Sequence, residues 1–147
     1  MDLTGPSLLL VADGRRARLF EERRRGGPLF EITAELGDLT PDRPIASGFR
    51  GRTHDRFGPA SHTMGGPGPK ERMEEDFVDR VAATTARIVR ARRDVDLILM
   101  AEPRALGRLR RGLAHAGVTA VLAEASDRVG ETEEGLRDSL RALRLGD

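Results

Sequence analysis

Cysteine is absent from the chain, as are tryptophan and tyrosine. Without thiols there is no disulfide framework, thiolate zinc site, iron–sulfur cluster or cysteine nucleophile. Five phenylalanines are the whole aromatic complement, a poor supply for a base-stacking platform. Lysine is nearly missing too: of 25 basic residues only Lys70 is lysine, which leaves 24 arginines. No apolar run approaches the roughly 18 residues that a membrane span needs. The opening Met1-Asp2-Leu3-Thr4-Gly5-Pro6 lacks the basic stretch and cleavage site of a signal peptide. A cytoplasmic protein without a membrane partner is therefore expected. Nucleotide motifs are missing as well. Lys70 follows proline and is not followed by serine or threonine, and no Gly-x-Gly-x-x-Gly follows the first apolar run. No cofactor is indicated.

What remains is a chain of 147 residues, the length of one domain, with 24 acidic residues set against the basic ones for a net charge of +1. Arginine's planar fork suits phosphate and carboxylate, which favours RNA as a partner. The plainer account of the bias is compositional. Ser7 to Ala12 is an apolar run of strand length, and Asp13-Gly14 after it is a tight-turn signal. Ala17 to Glu22 reads as a second strand and Arg23 to Pro28 as a second turn. In the third segment Phe30, Ile32, Ala34 and Leu36 alternate with polar residues, which predicts a half-buried strand. Three strands with short links pair as an antiparallel meander.

Residues 37 to 69 differ in kind, with seven glycines and five prolines and no periodicity. Loops longer than about 12–15 residues inside a compact domain are usually functional or disordered. The stretch from Gly48 to Gly68 is expected to be the most mobile of the chain or to be held by a partner. From Lys70 to Arg93 the period becomes 3.6, and Phe77, Val81 and Ile88 lie on the stripe that should meet the sheet. Leu97-Ile98-Leu99-Met100 reads as a buried strand. Pro103 opens a helix carrying Leu106, Leu109 and Leu113, with Gly117 placed to cap it. Val118 to Ala125 is the fifth predicted strand. Thr132 is the expected N-cap of a last helix with Leu136, Leu140 and Leu143 on one face. The order β-β-β-α-β-α-β-α, with right-handed parallel crossovers, predicts an α/β fold: a ribonuclease H-like mixed five-stranded sheet.

The residues along this order resemble a known family. Leu8-Leu9-Leu10-Val11-Ala12-Asp13-Gly14, then Ala17-Arg18-Leu19-Phe20, is similar to the opening of the middle domain of class 1 release factors and Pelota. That domain continues with a long loop bearing Gly-Gly-Gln and a charged helix beginning near Arg-Met-Glu. Here the loop ends His62-Thr63-Met64-Gly65-Gly66-Pro67, and the helix carries Arg72-Met73-Glu74. Val11 to Phe20, Asp42-Arg43-Pro44 and Glu102-Pro103-Arg104-Ala105-Leu106-Gly107 look closer to a bacterial group whose members are called proteins required for attachment to host cells. The resemblance covers roughly residues 7 to 125 and implies a translation-associated module that meets the ribosome or RNA. It also implies a degenerate loop tip. Pro67 stands where the family has the glutamine that helps water attack the ester, and it offers neither a side-chain amide nor a backbone N–H.

Three functions fit. A non-catalytic RNA- or ribosome-contacting module would use Arg43, Arg50, Arg52 and Arg56 of the loop and its Gly65-Gly66-Pro67 tip, although Asp38, Asp42 and Asp55 nearly balance those arginines. A two-metal nuclease of the ribonuclease H type would need carboxylates at the first strand, the first helix and the end of the fourth strand. Asp13, Glu74 or Glu75, and Glu102 stand at those elements. An oligomeric interaction protein would offer a free sheet edge or helix face. His54 and His62 read as surface histidines, and His115 suits a helix C-terminus.

Overall fold

The computed structural model describes residues 5–39 and 68–146. β1 (Ser7–Ala12) is buried along its whole length, and this sets the architecture. It pairs antiparallel with β2 (Ala17–Glu22) and parallel with β4 (Asp96–Ala101). β3 (Leu29–Glu31) and β5 (Leu122–Ala125) complete a sheet of order β3-β2-β1-β4-β5. The expected ribonuclease H-like arrangement is therefore present: an antiparallel meander, then two parallel crossovers.

Alternate residues of β1 feed two cores. Leu8, Leu10 and Ala12 pack with Leu97, Leu99 and the apolar stripes of α1 (Pro69–Arg92) and α2 (Pro103–His115). Leu9 and Val11 pack with Phe20, Ile98, Met100 and the inner face of α3 (Glu133–Leu145), chiefly Leu136 and Leu140. Each fully buried large side chain contributes about 1.5–3 kcal/mol relative to exposure. On α1 Phe77 and Val81 are buried and Ile88 packs against the same cluster, the facing that the 3.6 period predicts. Helix starts follow their caps. The Glu71 carboxylate accepts the Gly68 N–H at 2.7 Å, and the Thr132 hydroxyl accepts the Gly135 N–H at 3.0 Å. The two helices on one face touch closely, for a methyl group on Gly112 of α2 would lie 2.8 Å from the Ala82 Cβ of α1.

Two predicted strands are shorter than their patterns. β3 ends at Glu31 because Thr33 interrupts the ladder. Its hydroxyl accepts the Leu19 N–H at 3.1 Å and donates to Glu31 at 2.7 Å. The chain then makes one 3-10 turn, Thr33–Leu36, which delivers Leu36 to the core. Phe30, expected inside, is 40% exposed and lies under the Arg23 guanidinium at 4.1 Å. β5 begins only at Leu122. Gly117 at φ +80° closes α2, the Val118 N–H returns to the Leu113 carbonyl at 2.9 Å, and Val118 enters the core as the helix's last anchor. The predicted segment Gly48 to Gly68 lies outside the described residues except for Gly68.

Among the described residues one ion pair is buried. Arg144 near the end of α3 grips Glu22 at the end of β2 through two bonds of 2.7 and 2.8 Å, with side chains 10% and 2% exposed. The Gly26 N–H also reaches this carboxylate, at 2.9 Å. Burial pushes the Glu22 carboxyl up, but the bonds from Arg144, Gly26 and Ser7 outweigh it and hold the group below its ordinary value. A depressed carboxyl contributes stability that is present above the unfolded-state pKa and lost as pH falls through the folded one.

Two outcomes are expected. Glu22→Gln should cost about 3–5 kcal/mol near neutrality, because it strands the Arg144 charge. It should also flatten the acid limb of urea midpoints measured between about pH 6 and pH 2. Gly112→Ala should cost about 1–2 kcal/mol, since overpacking two helix backbones exceeds the gain in helix propensity of about 1 kcal/mol. Adding Ala82→Gly should return the steric part, read as coupling in a double-mutant cycle.

Candidate functional site

The parallel strands β1, β4 and β5 end on one rim, and open α/β sheets bind ligands outside the carboxyl ends of their strands. The rim is built from the β1–β2 turn, the first turns of α1 and the start of α2. Both roots of the segment 40–67 stand here too. Leu39 shares a groove with Arg15, Arg16 and Phe77, and Lys70 near the other root shares one with Gly14, Arg15 and Met73.

Asp13 organises the turn. One carboxylate oxygen accepts the N–H groups of Arg15 and Arg16 at 2.8 and 2.7 Å, and the Asp13 N–H bonds the Arg16 carbonyl at 2.9 Å. Gly14 then lets α1 approach, for a Cβ there would lie 3.1 Å from the Glu74 carboxylate. Glu74 accepts from Arg15 Nε at 3.2 Å. Glu102 is the N-cap of α2, taking the Arg104 N–H at 2.7 Å. A cleft of about 170 Å³ between α1 and α2 is lined by Glu71, Glu74, Glu75, Glu102, Arg104 and Arg108, among others. Two ion pairs cross it: Glu71 with Arg104 at 3.9 Å, and Glu75 with Arg108 at 3.6 Å. Arg108 also holds Asp79 through two bonds of 2.7 and 3.0 Å; that bonding raises its pKa, against a smaller opposing effect of burial.

Of the three carboxylates expected at a metal centre, Glu74 and Glu102 line this one cleft, and Asp13 stands beside it in the turn. Each has a local partner. Among the described residues no three histidine, aspartate or glutamate side chains form a group that could hold a metal ion. Gly65, Gly66 and Pro67, the arginines Arg43, Arg50, Arg52 and Arg56, and His54 and His62 lie outside the described residues. Inspection of the sequence missed Arg15, Arg16 and Arg104 as rim residues. Their only signal was adjacency to Asp13-Gly14 and to the proline that opens α2.

Topology defines the class: an α/β protein whose mixed five-stranded sheet has the ribonuclease H-like strand order. A family model described as "protein required for attachment to host cells" matches residues 8–140. The chain belongs to that family. The match runs from the second residue of β1 into α3, so it covers the sheet, α1, α2 and the rim. None of the curated proteins matches the chain. Among the described residues no helix is long and apolar enough to cross a membrane.

If the rim carboxylates act locally, Glu102→Ala should lower stability by about 0.5–2 kcal/mol, the usual loss of an N-cap. The loss should be equal with and without magnesium in denaturant titrations. A metal ligand would instead reveal itself as a difference that appears only when the ion is added.

Proposed function

We propose that the chain is a non-catalytic, translation-associated module that contacts RNA, on the ribosome or free, through its rim and the segment 40–67. The observation that carries this reading is the exposure of Arg15, Arg16 and Arg104, whose side chains are 65, 68 and 77% accessible around the roots of the segment holding Arg43, Arg50, Arg52 and Arg56. Exposed guanidinium heads on a turn and a helix start can meet phosphates without first being desolvated. The resemblance to the release factor middle domain supports the same end of the molecule as the contacting end. Pro67 removes both donors that ester hydrolysis would require, and losing one such donor typically costs about 2.7–4 kcal/mol of transition-state stabilisation. Binding without chemistry is the outcome.

A two-metal nuclease is the weaker alternative, because it needs oxygens that converge on a cation. Here Asp13 is spent on backbone N–H groups, Glu74 on Arg15 and Glu102 on capping α2.

The test is fluorescence anisotropy with structured and single-stranded RNA, alongside co-sedimentation with ribosomes. Replacing Arg15, Arg16 and Arg104 by glutamate should weaken binding and reduce the slope of log K against log salt by about 2 for single strands, or about 0.7 per lost phosphate contact. Unchanged affinity and slope in the triple variant would remove the rim from consideration.

A further inference from the structure

The opposite end of the sheet holds a second feature, unrelated to the rim. There the β2–β3 turn faces the last turns of α3 across a cleft of about 320 Å³. Four arginines line it, Arg25 from the turn and Arg137, Arg141 and Arg144 from α3, against the single carboxylate of Glu22, a formal lining charge of 4 − 1 = +3. Glu22 is fully engaged, since it accepts two bonds from Arg144, one from Gly26 and one from Ser7. Arg137 donates to the Gly26 carbonyl at 3.1 Å and stands 3.8 Å from Glu133. Among the described residues Arg25 and Arg141 have no partner. The buried Arg144 Nε has no acceptor either.

Cations at a helix C-terminus are ordinarily explained by the macrodipole. That accounts for Arg144 and, at the margin of the effect, Arg141. It does not account for Arg25, which comes from another segment, or for Arg137, two turns upstream. Leu140 and the 71% exposed Leu145 add an apolar wall to the same cleft. A concave site near 300 Å³ is at the small end of ligand pockets, the size of a small anion with an organic body. Guanidinium forks match phosphate oxygens in pairs.

We infer that this cleft is a binding site for a small phosphate monoester, whose dianionic head is held by Arg25 and Arg141 and whose organic body lies against Leu140 and Leu145. The nucleoside 5′-monophosphates are one such class.

The experiment is calorimetric titration of the whole chain at low ionic strength with adenosine 5′-monophosphate, glycerol phosphate, inorganic phosphate and adenosine. Both monoesters should bind more tightly than inorganic phosphate, and adenosine not at all. Arg25→Glu with Arg141→Glu should weaken the monophosphate by about tenfold or more for each lost charged contact. That variant should keep its fold, read by circular dichroism, with only the small drop in melting temperature that losing a cation near a helix C-terminus brings. Arg15→Glu with Arg16→Glu, an equal change of charge at the far rim, should leave monophosphate affinity unchanged. No binding by either monoester, equal loss in both double variants, or equal affinity for inorganic phosphate and the monoesters would each overturn the assignment. So would displacement of the monophosphate by RNA that the rim variant no longer binds.

Discussion

Burial of β1 on both faces is the constraint from which the remaining arrangement follows. Six consecutive residues without access to water require apolar cover above and below the sheet, and a hydrogen-bonded neighbour on each side. The neighbours are β2, reached by a tight turn, and β4, reached only through a crossover. The crossover helix α1 covers one face with α2, and α3 returns across the sheet to cover the other. Parallel pairing of β1, β4 and β5 then leaves their carboxyl ends on one rim. Leu39, the first turn of α1, the Asp13 turn and the start of α2 meet there for that reason.

Much of this order is legible in the sequence because its period changes where the structure changes. Leu8 to Ala12 and Leu97 to Met100 have no polar interruption, as befits strands covered twice, and Phe77, Val81 and Ile88 recur at helical spacing. Local chemistry is legible too, in the Asp13-Gly14 turn, the Thr132 cap and Gly117 at the end of α2. The third strand misleads because alternation was the only cue. Thr33 offers its hydroxyl to Leu19, and that side-chain bond ends a ladder the pattern would have extended. Val118 misleads differently, as a β-branched residue whose task is to anchor a helix terminus. The Glu22–Arg144 pair and the cleft beside it join positions 122 residues apart. No spacing rule reaches that far.

Charge on this molecule is distributed by pairing rather than by sign. At the rim the acidic residues of α1 meet Arg15, Arg104 and Arg108, and Arg92 at the other end of α1 ties Glu21 and Glu35 together. Arg18 crosses the third layer, binding the carboxylate of Glu31 and the carbonyls of Val129 and Glu131. Such exposed pairs are individually worth about 0–1 kcal/mol. Their effect is to leave few arginines uncommitted, so the uncommitted ones are informative. Among the described residues Arg25 and Arg141 are two of these, and they share the cleft at the far end of the sheet.

The preference for arginine has a further consequence at Lys70. A guanidinium keeps its proton and is a poor nucleophile at neutral pH, whereas an amine can be acylated, methylated or joined to another chain. Lys70 is the only lysine, exposed at the second residue of α1 where the insertion re-enters the fold. Any chemistry directed at side-chain amines, enzymatic or synthetic, therefore has one address on this protein. That address is in the first turn of α1, beside the Asp13 turn.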